Sequence, residues 1–229
     1  MPIPPFTDFI RLRFSFGGHP LTAVFSQRLG AVLAWTAAHA GLRPNAVTLL
    51  ALLSSLAGAA AYASLPPGFD AAALCIVLTQ LGYALDCADG QLARATGTTS
   101  RLGGWLDVYC DYLVVVALSM AVVQHLLTAD SQIPTGALLC VLLFTFGRAG
   151  SLHSSTMARI WRSSEGAGAD VQRGMVRKLF VLLIDTPTTL FVVCVLRDHP
   201  QPLLAFLLIS GGLYVAHGIY VGTSAARGR

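Results

Sequence analysis

Residues 86–111 read DCADGQLARATGTTSRLGGWLDVYCD. Four aspartates stand there in two pairs, Asp86 and Asp89 at i,i+3 and Asp107 and Asp111 at i,i+4. On a helix, either spacing puts both carboxylates on one face. Residues 71–85 (AAALCIVLTQLGYAL) and 112–123 (YLVVVALSMAVV) flank the stretch and are apolar. The pattern predicts two hydrophobic helices, each carrying a carboxylate pair near one end, joined by a short polar turn. Four acids converging at a membrane boundary repel one another unless something neutralises them. Hard divalent cations, Mg²⁺ or Mn²⁺, are the usual partners of all-oxygen sites. A Mg²⁺ site built from few carboxylates completes its shell with substrate phosphates, which points to phosphoryl transfer. Gly90 and Ala93 keep one helix face low, and Gly103 lies one turn before Asp107, so a bulky ligand can approach the backbone. Arg94 adds a fixed cation suited to a phosphate oxygen.

The rest of the chain says where this site lies. Of 229 residues, 55% are hydrophobic and only 11% charged, with mean hydropathy +0.66. That composition is a multi-span membrane protein, with no room for a sizeable soluble domain besides. The net charge of +4 comes from arginine, Lys178 being the single lysine, and it reads as membrane topology. No basic run with interleaved aromatics marks a nucleic-acid surface, so nucleic acid is not expected as a partner. Cys75, Cys87, Cys110, Cys140 and Cys194 sit in or beside apolar segments without a CxxC pair, and read as small buried hydrophobes. The six histidines lie near segment ends without metal spacing, which suggests interfacial placement. The opening MPIPPFTDF lacks a basic stretch followed by an apolar core and is not read as a cleavable signal.

In chain order, residues 1–41 read as a cytosolic lead-in followed by an interfacial amphipathic helix from Pro20 to about His39, with Gly41 as its stop. Residues 42–229 read as the membrane domain, with six spans at about 45–64, 71–93, 103–127, 133–152, 178–196 and 202–222. The fold class expected is therefore all-α: a polytopic bundle of six transmembrane helices plus the interfacial helix. With the N-terminus inside, fourteen of the fifteen Lys and Arg residues fall on the cytosolic side, and only Arg197 lies outside. Both termini and the acid-bearing helix ends are thereby expected at the cytosolic face of the cell (inner) membrane. Membrane lipids then reach the site sideways and water-soluble alcohols from above.

The string Asp86-x-x-Asp89-Gly90-x-x-Ala93-Arg94, eight residues, Gly103-x-x-x-Asp107-x-x-x-Asp111 resembles the full signature of the CDP-alcohol phosphotransferase family, with all eight positions present at the family's spacing. Internal salt bridges are the competing account of the acids, but four acids and one nearby Arg do not balance. The resemblance implies a metal-dependent transferase that passes a substituted phosphate from a CDP-linked donor to an alcohol and releases CMP. Asp86, Asp89, Asp107 and Asp111 would ligate Mg²⁺ or Mn²⁺, with Asp111 also the base that takes the acceptor's proton. Gly90, Ala93, Arg94 and Gly103 would shape the CDP and phosphate pocket. Asn45 and Thr48, in RPNAVTLL, are similar to the family's Pro-Asn-x-x-Thr opening and would border the nucleotide; Asn45 also reads as a simple helix cap. Dimerisation is common in the family, so a homodimer is implied.

Outside the signature, Arg148, Arg159, Arg173, Arg177 and Lys178 are candidates for an acceptor or lipid phosphate, though such charges also serve topology. Arg148 and Asp185 are ionisable residues within apolar segments, read either as functional or as a structural pair. The donor is expected to be CDP-diacylglycerol, in phospholipid synthesis, with a CDP-linked polar alcohol as the alternative. A cation or proton transporter is the reading from another class; it accounts for acids in spans but not for the Gly, Ala and Arg positions.

Overall fold

The computed structural model describes residues 3–12, 22–129, 134–165 and 185–226. All the secondary structure among them is helical. Helix α1 is Phe6–Leu12, and α2 is Gln27–His39, entered through a single wide turn at Thr22–Ser26. Then come α3 (Pro44–Ser64), α4 (Phe69–Ala95), α5 (Arg101–Ala129), α6 (Thr135–Glu165), α7 (Thr186–Val195) and α8 (Pro200–Ala226). Five of these, α3, α4, α5, α6 and α8, are long and apolar enough to cross a membrane. The chain is a multi-pass membrane protein.

These helices fit the expected spans closely, with three refinements. The fifth span, placed at 178–196, is seen here only as α7, because residues 178–184 lie outside the described residues. Helix α6 continues to Glu165, well past the expected end at 152. Helix α1 was not anticipated within the lead-in. Of the interfacial helix, Pro20 and Leu21 lie outside the described residues; the rest is the wide turn and α2. Gly41 has φ +68°, a left-handed conformation that ends α2 as the sequence predicts.

Two apolar clusters hold the bundle. The larger brings together Tyr62, Cys75, Val122, Phe144, Val193 and Leu207 from α3 through α8. The smaller packs Phe9 of α1 and Ala31 and Ala34 of α2 against Ala88 and Leu92 of α4. It braces the back of the helix that carries Asp86 and Asp89. Gln91 adds a bond from its side-chain nitrogen to the Gln27 carbonyl at 3.1 Å.

Helices α3 and α4 lie in close contact because small residues face each other. A Cβ on Gly82 would stand 2.1 Å from Ser55 Oγ and 3.0 Å from the Ala51 carbonyl oxygen. This approach brings the start of α3 beside the acid-bearing end of α4. At the opposite end of the bundle, Arg197 is buried and donates to the carbonyls of Tyr62 (2.9 Å), Leu65 and Pro66 (3.2 Å). The basic residue that the sequence left alone on the outer side is thus a cap for the end of α3. Its neighbour Asp198 accepts from Gly68 N at 2.8 Å and lies 3.4 Å from His125 Nε2. His125 is buried there, one turn from the end of α5.

Candidate active site

The turn between α4 and α5 sets the geometry. Helix α4 ends on Gly97, at φ +68°, with Thr98 N bonded back to the Ala93 carbonyl at 2.8 Å. Three residues on, Ser100 Oγ accepts from Gly103 N at 2.9 Å and caps α5. The chain thus reverses in five residues, and the acid pairs of the two helices come to face each other. One carboxylate oxygen from each of Asp86, Asp89 and Asp107 lies within 4.8 Å of the other two. Asp111, one turn further along α5, shares with Asp86 the wall of a cavity deeper in the bundle.

Asp89 and Asp107 form the floor of a cavity of about 200 Å³ at the end of the bundle where α3 begins and α4 ends. Asn45, Thr48, Gly90, Ala93, Arg94 and Gly103 all line it, so every residue expected around the nucleotide is gathered in one place. Thr48 is buried and donates its hydroxyl to Asp89 Oδ2, with the Pro44 carbonyl a second acceptor at 3.2 Å. A Cβ on Gly103 would meet Ser100 Oγ at 3.1 Å and Asn45 Oδ1 at 3.2 Å, so a side chain there would press into the polar wall. The Arg94 guanidinium folds back over Gly90, 2.9 Å from where a Cβ would be.

Sequence reading missed Pro44, Thr98, Thr99, Ser100 and Gly104 on this wall. The signal was present: TGTTS is rich in hydroxyls and falls between the two acid pairs.

Other candidates lie apart from this cavity. Arg148 lines the deeper cavity and donates to Thr186 Oγ1 at 2.5 Å. Asp185 accepts from Thr22 N at 3.1 Å and Thr22 Oγ1 at 2.5 Å, tying the start of α7 to the entry of α2. Arg159 falls on α6, but its side chain is outside the described residues, as are Arg173, Arg177 and Lys178 altogether.

The donor set is hard oxygen from carboxylates on two rigid helices, with hydroxyls and a guanidinium around it. Those groups would suit a hard divalent cation and phosphate oxygens better than a soft metal. Cys87 and Cys110, which also fall inside the motif, are free.

A family model for CDP-alcohol phosphatidyltransferases matches residues 41–216. The chain belongs to that family. Among curated proteins, the archaetidylinositol phosphate synthase of Pyrococcus horikoshii is 37% identical over 78 residues. That stretch is 34% of this chain and 39% of the relative, so the match spans well under half of the relative's length. Two crystal structures of a Mycobacterium tuberculosis phosphatidylinositol phosphate synthase share the fold. One, with CDP-DAG bound, has a TM-score of 0.59 at 20% identity and covers 86% of this chain and 94% of the other. The second, in complex with manganese and citrate, has a TM-score of 0.58 at 19% identity, over 85% and 87%.

Proposed function

We propose that this chain is an integral-membrane transferase that moves a phosphatidyl group from CDP-diacylglycerol to the hydroxyl of an alcohol, releasing CMP, in phospholipid synthesis. The observation that carries this reading is the convergence of Asp86, Asp89 and Asp107, the last two lining a cavity at the end of the bundle and Asp86 sharing a deeper one with Asp111. That a solved relative holds CDP-DAG supports this donor over a CDP-linked polar alcohol.

Asp86, Asp89 and Asp107 would hold one or two Mg²⁺ or Mn²⁺ ions, and Asp111, one turn along α5 from Asp107, would share in that shell. When bound, such an ion neutralises a pyrophosphate and stabilises a departing phosphate. Thr48 fixes the rotamer of Asp89 through its hydroxyl. Asn45, Thr48, Ala93 and Gly103 bound the nucleotide, Gly90 keeps the wall low, and Arg94 meets a phosphate oxygen. Asp111 accepts the acceptor's hydroxyl proton as that oxygen bonds to the β-phosphorus. The bond from this phosphorus to the bridging oxygen breaks, and its electron pair leaves with CMP. A carboxylate beside cations is a weak base, so the proton moves late, as the new bond forms.

The Arg and Lys distribution supports termini and active site at the cytosolic face of the cell membrane. We take residues 1–41 as a lead-in and interfacial helix bracing the membrane domain at 42–229, and a homodimer as the assembly the family resemblance implies.

The test is CMP release from CDP-diacylglycerol by purified protein in detergent, with a panel of alcohols. Activity should vanish in EDTA and return with Mg²⁺ or Mn²⁺. Chelator-resistant turnover would remove the metal from this account, and no CMP with any alcohol would remove the transferase.

A further inference from the structure

The helix that carries Asp86 and Asp89 is held from behind by a seam with one polar joint in it. Gln91 stands two positions past Asp89, about 200° round α4, and so leaves the helix on the side away from the acids. It is 2% exposed, and its Nε2 donates to the Gln27 carbonyl at 3.1 Å. Gln91 Oε1, Gln27 Oε1 and Ser26 Oγ are buried at this joint or beside it, and none of the three has a hydrogen-bond partner. Around the joint the seam is made of small residues. Ala31 and Ala34 of α2 pack with Ala88 of α4. A Cβ on Gly30 would stand 3.0 Å from Cys87 Cβ, 3.2 Å from the Ala84 carbonyl oxygen and 3.3 Å from Ala88 N. Cys87 and Ala88 are the two residues between Asp86 and Asp89, so α2 presses on the turn that carries both acids.

One buried hydrogen bond among three unmatched polar atoms is a poor device for stability, because an apolar side chain of the same shape avoids leaving an acceptor unpaired. A buried polar contact of this kind is better suited to fixing register, which a seam of glycine and alanine leaves free to slip. We propose that Gln91 is a positioning residue for the cation site. Its bond to Gln27 pins α2 in one register on the back of α4, and the close seat of Gly30 on Cys87 and Ala88 then holds Asp86 and Asp89 where they meet Asp107. This rests on the reading of those three acids as cation ligands. Ligand atoms must lie within about 0.2 Å of their ideal distances, so even a small slip of α4 weakens the site.

The experiment measures Mn²⁺ binding to purified protein in detergent, without substrate, from the loss of the free ion's electron paramagnetic resonance signal. Gln91→Met keeps the length of the side chain and removes both the donor and the unmatched oxygen. It raises the Mn²⁺ Kd about three- to tenfold, below the ten- to hundredfold of a group bonded directly to a ligand. Its melting temperature stays within about 4 °C of wild type, the size of one neutral hydrogen bond in a chain of this length. Gln80→Met is the control: Gln80 Nε2 donates to the Pro187 carbonyl at 2.8 Å, the same kind of bond on the same helix, six residues before Asp86. That variant leaves the Mn²⁺ Kd within about twofold of wild type. If Gln91→Met does not fold, Gly30→Ala lifts α2 off the same turn and weakens Mn²⁺ binding in the same direction. An unchanged Kd in folded Gln91→Met or Gly30→Ala, or an equal rise in Gln80→Met, overturns the positioning role and leaves the cation site standing. No Mn²⁺ binding by the wild-type protein overturns both.

Discussion

At the scale of single residues, two aspartates on one helix carry different loads. Asp107 joins the oxygen cluster with Asp86 and Asp89, whereas Asp111 stands one turn deeper, beside the inner cavity. On the proposed mechanism, Asp111→Asn removes the proton acceptor and lowers kcat by about a hundred- to ten-thousandfold. Asp107→Asn instead raises the Mg²⁺ concentration needed for half-maximal CMP release. Both variants should melt close to wild type, since no apolar packing is lost; near-normal turnover in either would refute that residue's role. Thr48 allows a finer check. Thr48→Val keeps the shape but removes the hydroxyl that orients Asp89, and should weaken metal activation about ten- to a hundredfold. A metal titration of CMP release, run on both proteins, measures it. These acids were legible in the sequence because their spacing alone places them on helix faces. Thr98, Thr99 and Ser100 were not, because a hydroxyl-rich turn has many fates, and only the reversal at Gly97 points them at the cavity.

At the scale of elements, close helix contacts set the site. Helix α8 presses on α6 so tightly that a Cβ on Gly211 would lie 2.8 Å from Phe144 N and 2.9 Å from Phe144 Cα. Backbone cannot swing aside as a side chain can. Gly211→Ala should therefore cost about 1–3 kcal/mol, while Gly212→Ala, with nothing within 4 Å, should be close to neutral. Thermal melts of the two variants in the same detergent compare them directly, and equal melting temperatures would contradict the packing described. The helices that sequence reading missed or shortened have physical explanations. Seven-residue α1 has no stability of its own, so only the burial of Phe9 against α2 and α4 makes it a helix. Hydropathy placed the end of the fourth span at residue 152 because the apolar run ends there. The backbone hydrogen bonding of α6 continues through HSSTMARIWRSSE regardless, since charged and polar residues remain adequate helix formers.

At the scale of the molecule, the bundle is open and polar at one end and tied shut at the other. The tie is Arg197, whose guanidinium meets three carbonyls at the end of α3 and the Asp198 carboxylate at 3.1 Å. Arg197→Met leaves those buried carbonyls without a donor and should cost about 3 kcal/mol or more. Protein that still folds should keep the wild-type KM for the donor, because the tie lies at the far end from the acids. Loss of donor affinity in folded protein would mean the two ends are coupled. Arg197 shows the limit of charge counting: a tally of basic residues says only that it stands apart from the rest, and its role as a buried structural cap is one that only the fold reveals.

The central claim is that four carboxylates from α4 and α5 make one cation-dependent site for a cytidine pyrophosphate. Calorimetric titration of CDP into purified protein, with Mg²⁺ and then with EDTA, tests it most directly. CDP should bind in Mg²⁺, fail to bind in EDTA, and fail to bind the Asp86→Asn, Asp107→Asn double variant under either condition. Binding of equal strength without the metal, or without those two carboxylates, would contradict it.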